Sequence, residues 1–152
     1  MRQRYLLDAS VLVGIVNSDD PLHQPCYSFF RNLYDEDAAV WVVPGIIFFE
    51  FQATQSRRAR ERGQTGSIYR HAPLFENNTE LYEISPDFLG RVWDAELYTR
   101  FDRLRGADLL YACIAFLEGI PLVTHDSDFD PYSGILSIIR PREVYDLGGN
   151  PI

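Results

Sequence analysis

The chain has 152 residues, 46% hydrophobic and 24% charged, with a formal net charge of −8. That size and balance describe one globular domain, residues 1–152, able to bury a core without disulfides or a structural metal. The negative balance excludes attraction of nucleic acid by bulk charge, and all fourteen basic residues are arginine, with no lysine. Cys26 and Cys113 lie far apart in apolar helical patterns and read as buried thiols of a reducing compartment. The apolar run before Asp8 is too short for a signal peptide, and no stretch reaches the roughly 18 apolar residues of a membrane span. A cytoplasmic protein is expected.

In chain order, Arg4–Asp8 reads as a buried strand, and Ser10 as the cap of a helix reaching Val16. Asp20–Asp37 reads as a second helix with Leu22, Cys26, Phe29, Phe30 and Leu33 on one face. Pro21 suits its first turn, whereas Pro25 would let it begin later. Ala39–Val43 is the next strand. Pro44 opens a long helix that should stop near Gly63, a good C-terminal cap. Gln64–Asn78 gives an ambiguous signal interrupted by Pro73. Glu80–Ile84 is a third strand, and Ser85-Pro86 opens a helix to about Arg103. Gly106 breaks it, and Ala107–Glu118 follows as a helix capped by Gly119. Pro121–Thr124 and Leu136–Ile139 are the last strands. Strands alternating with helices imply an α/β fold with a parallel sheet covered on both faces. In such a sheet function gathers at the carboxyl ends of the strands.

Four acids stand at such positions or in apolar surroundings. Asp8 closes the first strand; its ordinary role would be a helix N-cap. Glu50 lies in Ile46-Ile47-Phe48-Phe49-Glu50-Phe51, apolar nearly all round, where a carboxylate is costly to bury alone. An arginine partner, an exposed edge or a bound cation would each resolve that cost. Asp108 opens an apolar helix, where the helix dipole alone would favour it. Asp126 begins Asp126-Ser127-Asp128-Phe129-Asp130, directly after a strand, with more acids than a turn needs. An EF-hand is excluded, because its glycine and terminal glutamate are missing. Clustered carboxylates repel one another unless a hard cation joins them, and oxygen-only ligands select magnesium or manganese. His23, His71 and His125 lack zinc spacing and read as structural or surface residues.

Absences narrow the chemistry further. Response-regulator receivers and haloacid-dehalogenase-like phosphatases rely on a lysine near their aspartyl phosphate, and this chain has none. The P-loop, the Gly-x-Gly-x-x-Gly dinucleotide turn and the Gly-x-Ser-x-Gly esterase elbow are all absent.

Taken in order, Leu6-Leu7-Asp8-Ala9-Ser10, Pro44 followed by Glu50, Gly106-Ala107-Asp108-Leu109-Leu110-Tyr111-Ala112, Leu122-Val123-Thr124-His125-Asp126-Ser127-Asp128-Phe129 and Ile138-Ile139-Arg140-Pro141 resemble the PIN-domain nucleases, especially VapC-like toxins. The resemblance spans nearly the whole chain. It implies a parallel sheet of about five strands flanked by helices. It also implies a Mg- or Mn-dependent endoribonuclease with Asp8, Glu50, Asp108 and Asp126 as its acidic site. Ser10 matches a supporting hydroxyl and Asp128 a further acid. A homodimer and a small antitoxin partner are implied as well. RNA contact would have to be local; Arg57, Arg58, Arg60 and Arg62, with Arg70 beyond, are the candidates, against the alternative of a solvated helix end. Single-stranded or loop RNA is the expected target. The alternative reading is a non-catalytic PIN-like module that binds RNA or protein. A deoxyribonuclease using the same site is a third.

Overall fold

A computed structural model describes residues 2–35, 37–64 and 78–142. The segment 65–77, with the ambiguous stretch, Arg70 and His71, lies outside the described residues. Five strands form one parallel sheet in the order β3-β2-β1-β4-β5. They are β1 (Gln3–Leu7), β2 (Ala39–Pro44), β3 (Thr79–Tyr82), β4 (Leu122–Val123) and β5 (Ile138–Ile139). The α/β class and the parallel five-stranded sheet are as expected.

The near-continuous apolar strands follow from burial on both faces. Successive side chains point to opposite sides of a strand, so β1, β2, β4 and β5 each feed two cores, while the edge strand β3 leaves Leu81 exposed. Tyr5, Leu7, Trp41, Val43 and Val123 pack on one side with α1 (Ala9–Val16), α2 (His23–Asp35) and the start of α3 (Ile46–Glu61). Leu6, Val42 and Leu122 pack on the other with α4 (Pro86–Asp94), α5 (Leu97–Arg100) and α6 (Ala107–Glu118). The register Tyr5↔Trp41 and Leu6↔Leu122 keeps each residue with others of its own face.

β1 is the pivot. The chain builds outward from it through β2 to β3, then returns to its other side for β4 and β5. Such a reversal leaves a crevice beyond the carboxyl ends of the two strands beside it. Asp8 follows β1 there, and the segment leading to Asp126 follows β4.

Several boundaries differ from the sequence expectation, each for a local reason. Ser10 does not cap α1: Asp8 holds the N-cap position, and neither residue makes a side-chain capping bond. α2 starts at His23 because Asp20 folds the preceding turn, its carboxylate accepting from the Leu22 N–H at 2.9 Å. Pro25 therefore falls in the first turn, where its missing N–H costs nothing. Pro44 ends β2 opposite Tyr82 and the long helix begins at Ile46. β3 sits earlier than Glu80–Ile84, drawn by pairing Trp41↔Thr79. The helix expected to reach Arg103 breaks at Glu96, whose φ of 51° is left-handed, giving α4 and α5 instead. β4 and β5 are two residues each, shorter than expected.

Candidate functional site

Four elements deliver carboxylates to the crevice. Asp8, only 6% exposed, is the first residue after β1. One of its oxygens, Oδ2, accepts from Thr124 Oγ1 at 2.6 Å and from Ser10 Oγ at 2.7 Å. The same two hydroxyls receive β4's outgoing backbone. Thr124 Oγ1 accepts from the Asp126 N–H at 2.9 Å, and Ser10 Oγ from the His125 N–H at 3.3 Å. Asp8 and the chain leading to Asp126 are thus laced together through two side chains. Burial pushes the Asp8 carboxyl above its usual range, opposed by the hydroxyl bonds.

Asp126 starts a 3-10 turn (Ser127–Tyr132) and accepts from the Asp128 N–H at 2.8 Å. Arg140, just after β5, secures this segment by donating to the Thr124 carbonyl at 2.8 Å and pairing with Asp130. Asp108 enters in the first turn of α6. The residue preceding that helix, Gly106, has φ +55° and ψ −123°, a conformation open essentially to glycine alone. Glu50 comes from α3 and accepts from the buried Tyr111 hydroxyl at 2.7 Å. Of the partners considered for Glu50, an arginine is not the one found.

These acids line one cleft of about 590 Å³: Asp8, Glu50, Asp108 and Asp126 share it with Ser10. Oxygens of Asp108, Asp126 and Asp128 lie within 4.8 Å of one another. Asp8 and Glu50 stand outside that tight trio. Among the described residues, hydroxyls and backbone N–H groups hold these carboxylates, and no arginine pairs with them. The consequence shows at Asp108, whose carboxyl is pushed up to about 6 by burial and by the charges of Asp126, Asp8, Glu50 and Asp128. Glu50 is raised too, first by burial, with the Asp8 charge adding.

The same cleft continues along α3. Glu50, Thr54, Arg57, Arg58, Glu61 and Arg62 recur every three or four residues and so share a helix face. Arg58 pairs with Asp20, and also with Asp19 at 3.5 Å; Arg62 pairs with Asp19. Arg57 reaches Glu61 at 4.0 Å. Arg60 is exposed and does not line the cleft.

Sequence reasoning did not single out Thr124, Tyr111 or Asp20. Tyr111 was findable, since it lies three residues after Asp108 on the same helix face. Asp20 had no signal, because its role depends on α1, α2 and α3 packing together. Among the histidines, His23 bonds Gly14 O at 2.8 Å through Nδ1, a structural contact. His125 adjoins the site through its backbone rather than lying apart from it.

The fold is shared with solved structures of low identity. A VapBC2 structure from Rickettsia felis, bound to a DNA fragment from their promoter, matches with a TM-score of 0.61 and 18% identity, over 91% of this chain and 98% of that one. A protein from Pyrobaculum aerophilum matches at 0.60 and 19%, over 92% and 90%. Mycobacterium tuberculosis VapC20, a sarcin-ricin loop cleaving toxin, matches at 0.59 and 15%, over 88% and 97%. No curated protein matches the sequence. The PIN domain family model matches residues 5–134, most of the chain and a span that includes Asp8, Glu50, Asp108 and Asp126, and the protein belongs to the PIN-domain family.

Proposed function

We propose that this protein is a divalent-metal-dependent endoribonuclease and the toxin of a toxin–antitoxin pair. One observation carries the reading: Asp8, Glu50, Asp108 and Asp126 converge on one cleft from four separate elements, and among the described residues none of the four pairs with an arginine, the cleft's arginines being turned to Asp19, Asp20 and Glu61. A binding module gains nothing from such repulsion. A hard dication offsets it, and the donor set is all oxygen, which suits magnesium or manganese. Asp108, Asp126 and Asp128 form the tightest group of donors, with Asp8 and Glu50 completing the site.

When bound, such a cation supplies Lewis-acid stabilisation of phosphoryl charge and activates water for in-line attack. The chain's own residues do the positioning. Ser10 and Thr124 both donate to one Asp8 oxygen, which anchors the carboxylate at the cleft wall. Tyr111 does the same for Glu50. Such outer hydrogen bonds orient ligands and tune their basicity.

RNA as substrate is supported by family membership and by the sarcin-ricin loop cleaving activity named for VapC20. An antitoxin partner is supported by the VapBC2 complex. Phe49, Leu81 and Trp93, at 76%, 66% and 70% exposure, leave apolar surface that an antitoxin or a second copy would cover. The reading predicts chelator-sensitive cleavage of single-stranded RNA, restored by Mg²⁺ or Mn²⁺. Asp8→Asn, nearly isosteric, should reduce cleavage to background while the protein stays folded, read as a cooperative melting transition. A folded Asp8→Asn protein that cuts at the wild-type rate would overturn it.

A further inference from the structure

The arginines of the cleft are occupied by the protein's own carboxylates. Arg58 and Arg62 are one helical turn apart on α3 and face the turn between α1 and α2, where Asp19 and Asp20 meet them. Asp20 is held for this purpose: Oδ1 accepts from the Leu22 N–H while Oδ2 faces Arg58. A guanidinium fork binds carboxylate and phosphate in the same planar geometry. Two carboxylates are therefore seated where phosphodiester oxygens would sit. The side chains of Asp19 and Arg62 are 50% and 43% exposed, and exposed pairs are weak enough to exchange; Arg58 and Asp20, at 19% and 14%, are held more firmly.

We propose that Arg58 and Arg62 form a phosphate subsite for the RNA backbone, whose resting occupants are Asp19 and Asp20. This rests on the ribonuclease reading above. Arg57 and Arg60 fall outside the subsite, the first turned to Glu61 and the second away from the cleft. Geometry sets its distance from the acids. Eight residues of helix separate Glu50 from Arg58, about 12 Å at about 1.5 Å per residue. The subsite therefore takes a backbone phosphate beyond the scissile one, out of reach of a dinucleotide. Short RNAs cannot reach it. Long RNAs must displace Asp19 and Asp20 to use it, which makes the acidic turn a filter on binding.

The test compares cleavage of a dinucleotide and a decanucleotide of single-stranded RNA. In Asp19→Asn/Asp20→Asn the amide oxygen at position 20 still accepts from Leu22, so the turn is kept. The decanucleotide KM should fall about threefold to tenfold with kcat unchanged, and the dinucleotide should be cut as before. Arg58→Gln should raise the decanucleotide KM and leave the dinucleotide alone. Asp19→Asn by itself, at an exposed position, repeats the gain in smaller measure if the double variant melts early. An unchanged or higher decanucleotide KM, or an equal gain at both lengths, overturns the subsite while the nuclease reading stands. If the wild-type protein cuts neither RNA, the nuclease reading fails and the subsite with it.

Discussion

Asp108 faces four other carboxylates, and its raised proton affinity has a thermodynamic counterpart. The unfolded chain releases this proton near the ordinary 3.8, the folded chain near about 6. Between those values the folded state binds more protons, so stability falls as pH rises, and the full penalty persists above about 6. Asp8 and Glu50, shifted the same way, add to it. The metal-free protein should therefore melt higher at pH 5 than at pH 7.5. Asp108→Asn should raise the melting temperature at pH 7.5 in EDTA and shrink that difference, read by scanning fluorimetry. A lower melting temperature for the variant would show that the repulsion is already relieved in the free chain. At this scale the sequence was partly readable. Glu50 stood out because Ile46, Ile47, Phe48, Phe49 and Phe51 left it nothing obvious to bond. Thr124 did not, since a threonine at a strand end looks the same whether or not a carboxylate from another strand meets it.

α6 brings two functions to one face. Asp108 and Tyr111, three residues apart, project toward the cleft and toward Glu50 on α3, so one helix both supplies an acid and steadies another. Tyr111 is fully buried, and burial with the Glu50 charge pushes its phenol far above its usual range, so it remains a donor. Tyr111→Phe keeps the ring and removes the bond. Mn²⁺ affinity measured by calorimetry should fall about tenfold, the scale of lost outer-shell support, with the melting temperature nearly unchanged. Undiminished affinity would mean that Glu50 needs no such support. Element boundaries were less readable than element types. The break between α4 and α5 at Glu96 has no glycine or proline to announce it, and the left-handed residue is tolerated because Leu97 and Phe101 are both buried just beyond. β4 and β5 were overextended because the flanking Thr124 and Ser137 join the ladder through single backbone bonds without becoming paired residues.

For the whole molecule, alternation of strands and helices disclosed a parallel sheet but not its order. The order depends on which strand lands beside β1, and that is decided by contacts such as Asp8 with Thr124, 116 residues apart. Two-residue strands carry almost no local signal of their own. The placement of β4 beside β1 also governs timing. During synthesis Asp8 leaves the ribosome first, while Thr124, Asp126 and Asp128 follow only after α1 through α6 have been made. Until β4 docks, Asp8 lacks its buried hydroxyl partner and the acidic trio does not exist. A chain ended at Gly119 should show neither cation-stimulated cleavage nor cation-dependent stabilisation, and activity in a stepwise truncation series should return only once β4 and its following turn are present. On the proposed ribonuclease function, the growing chain is thereby kept from cutting the RNA it is made on until β4 and the turn after it have emerged.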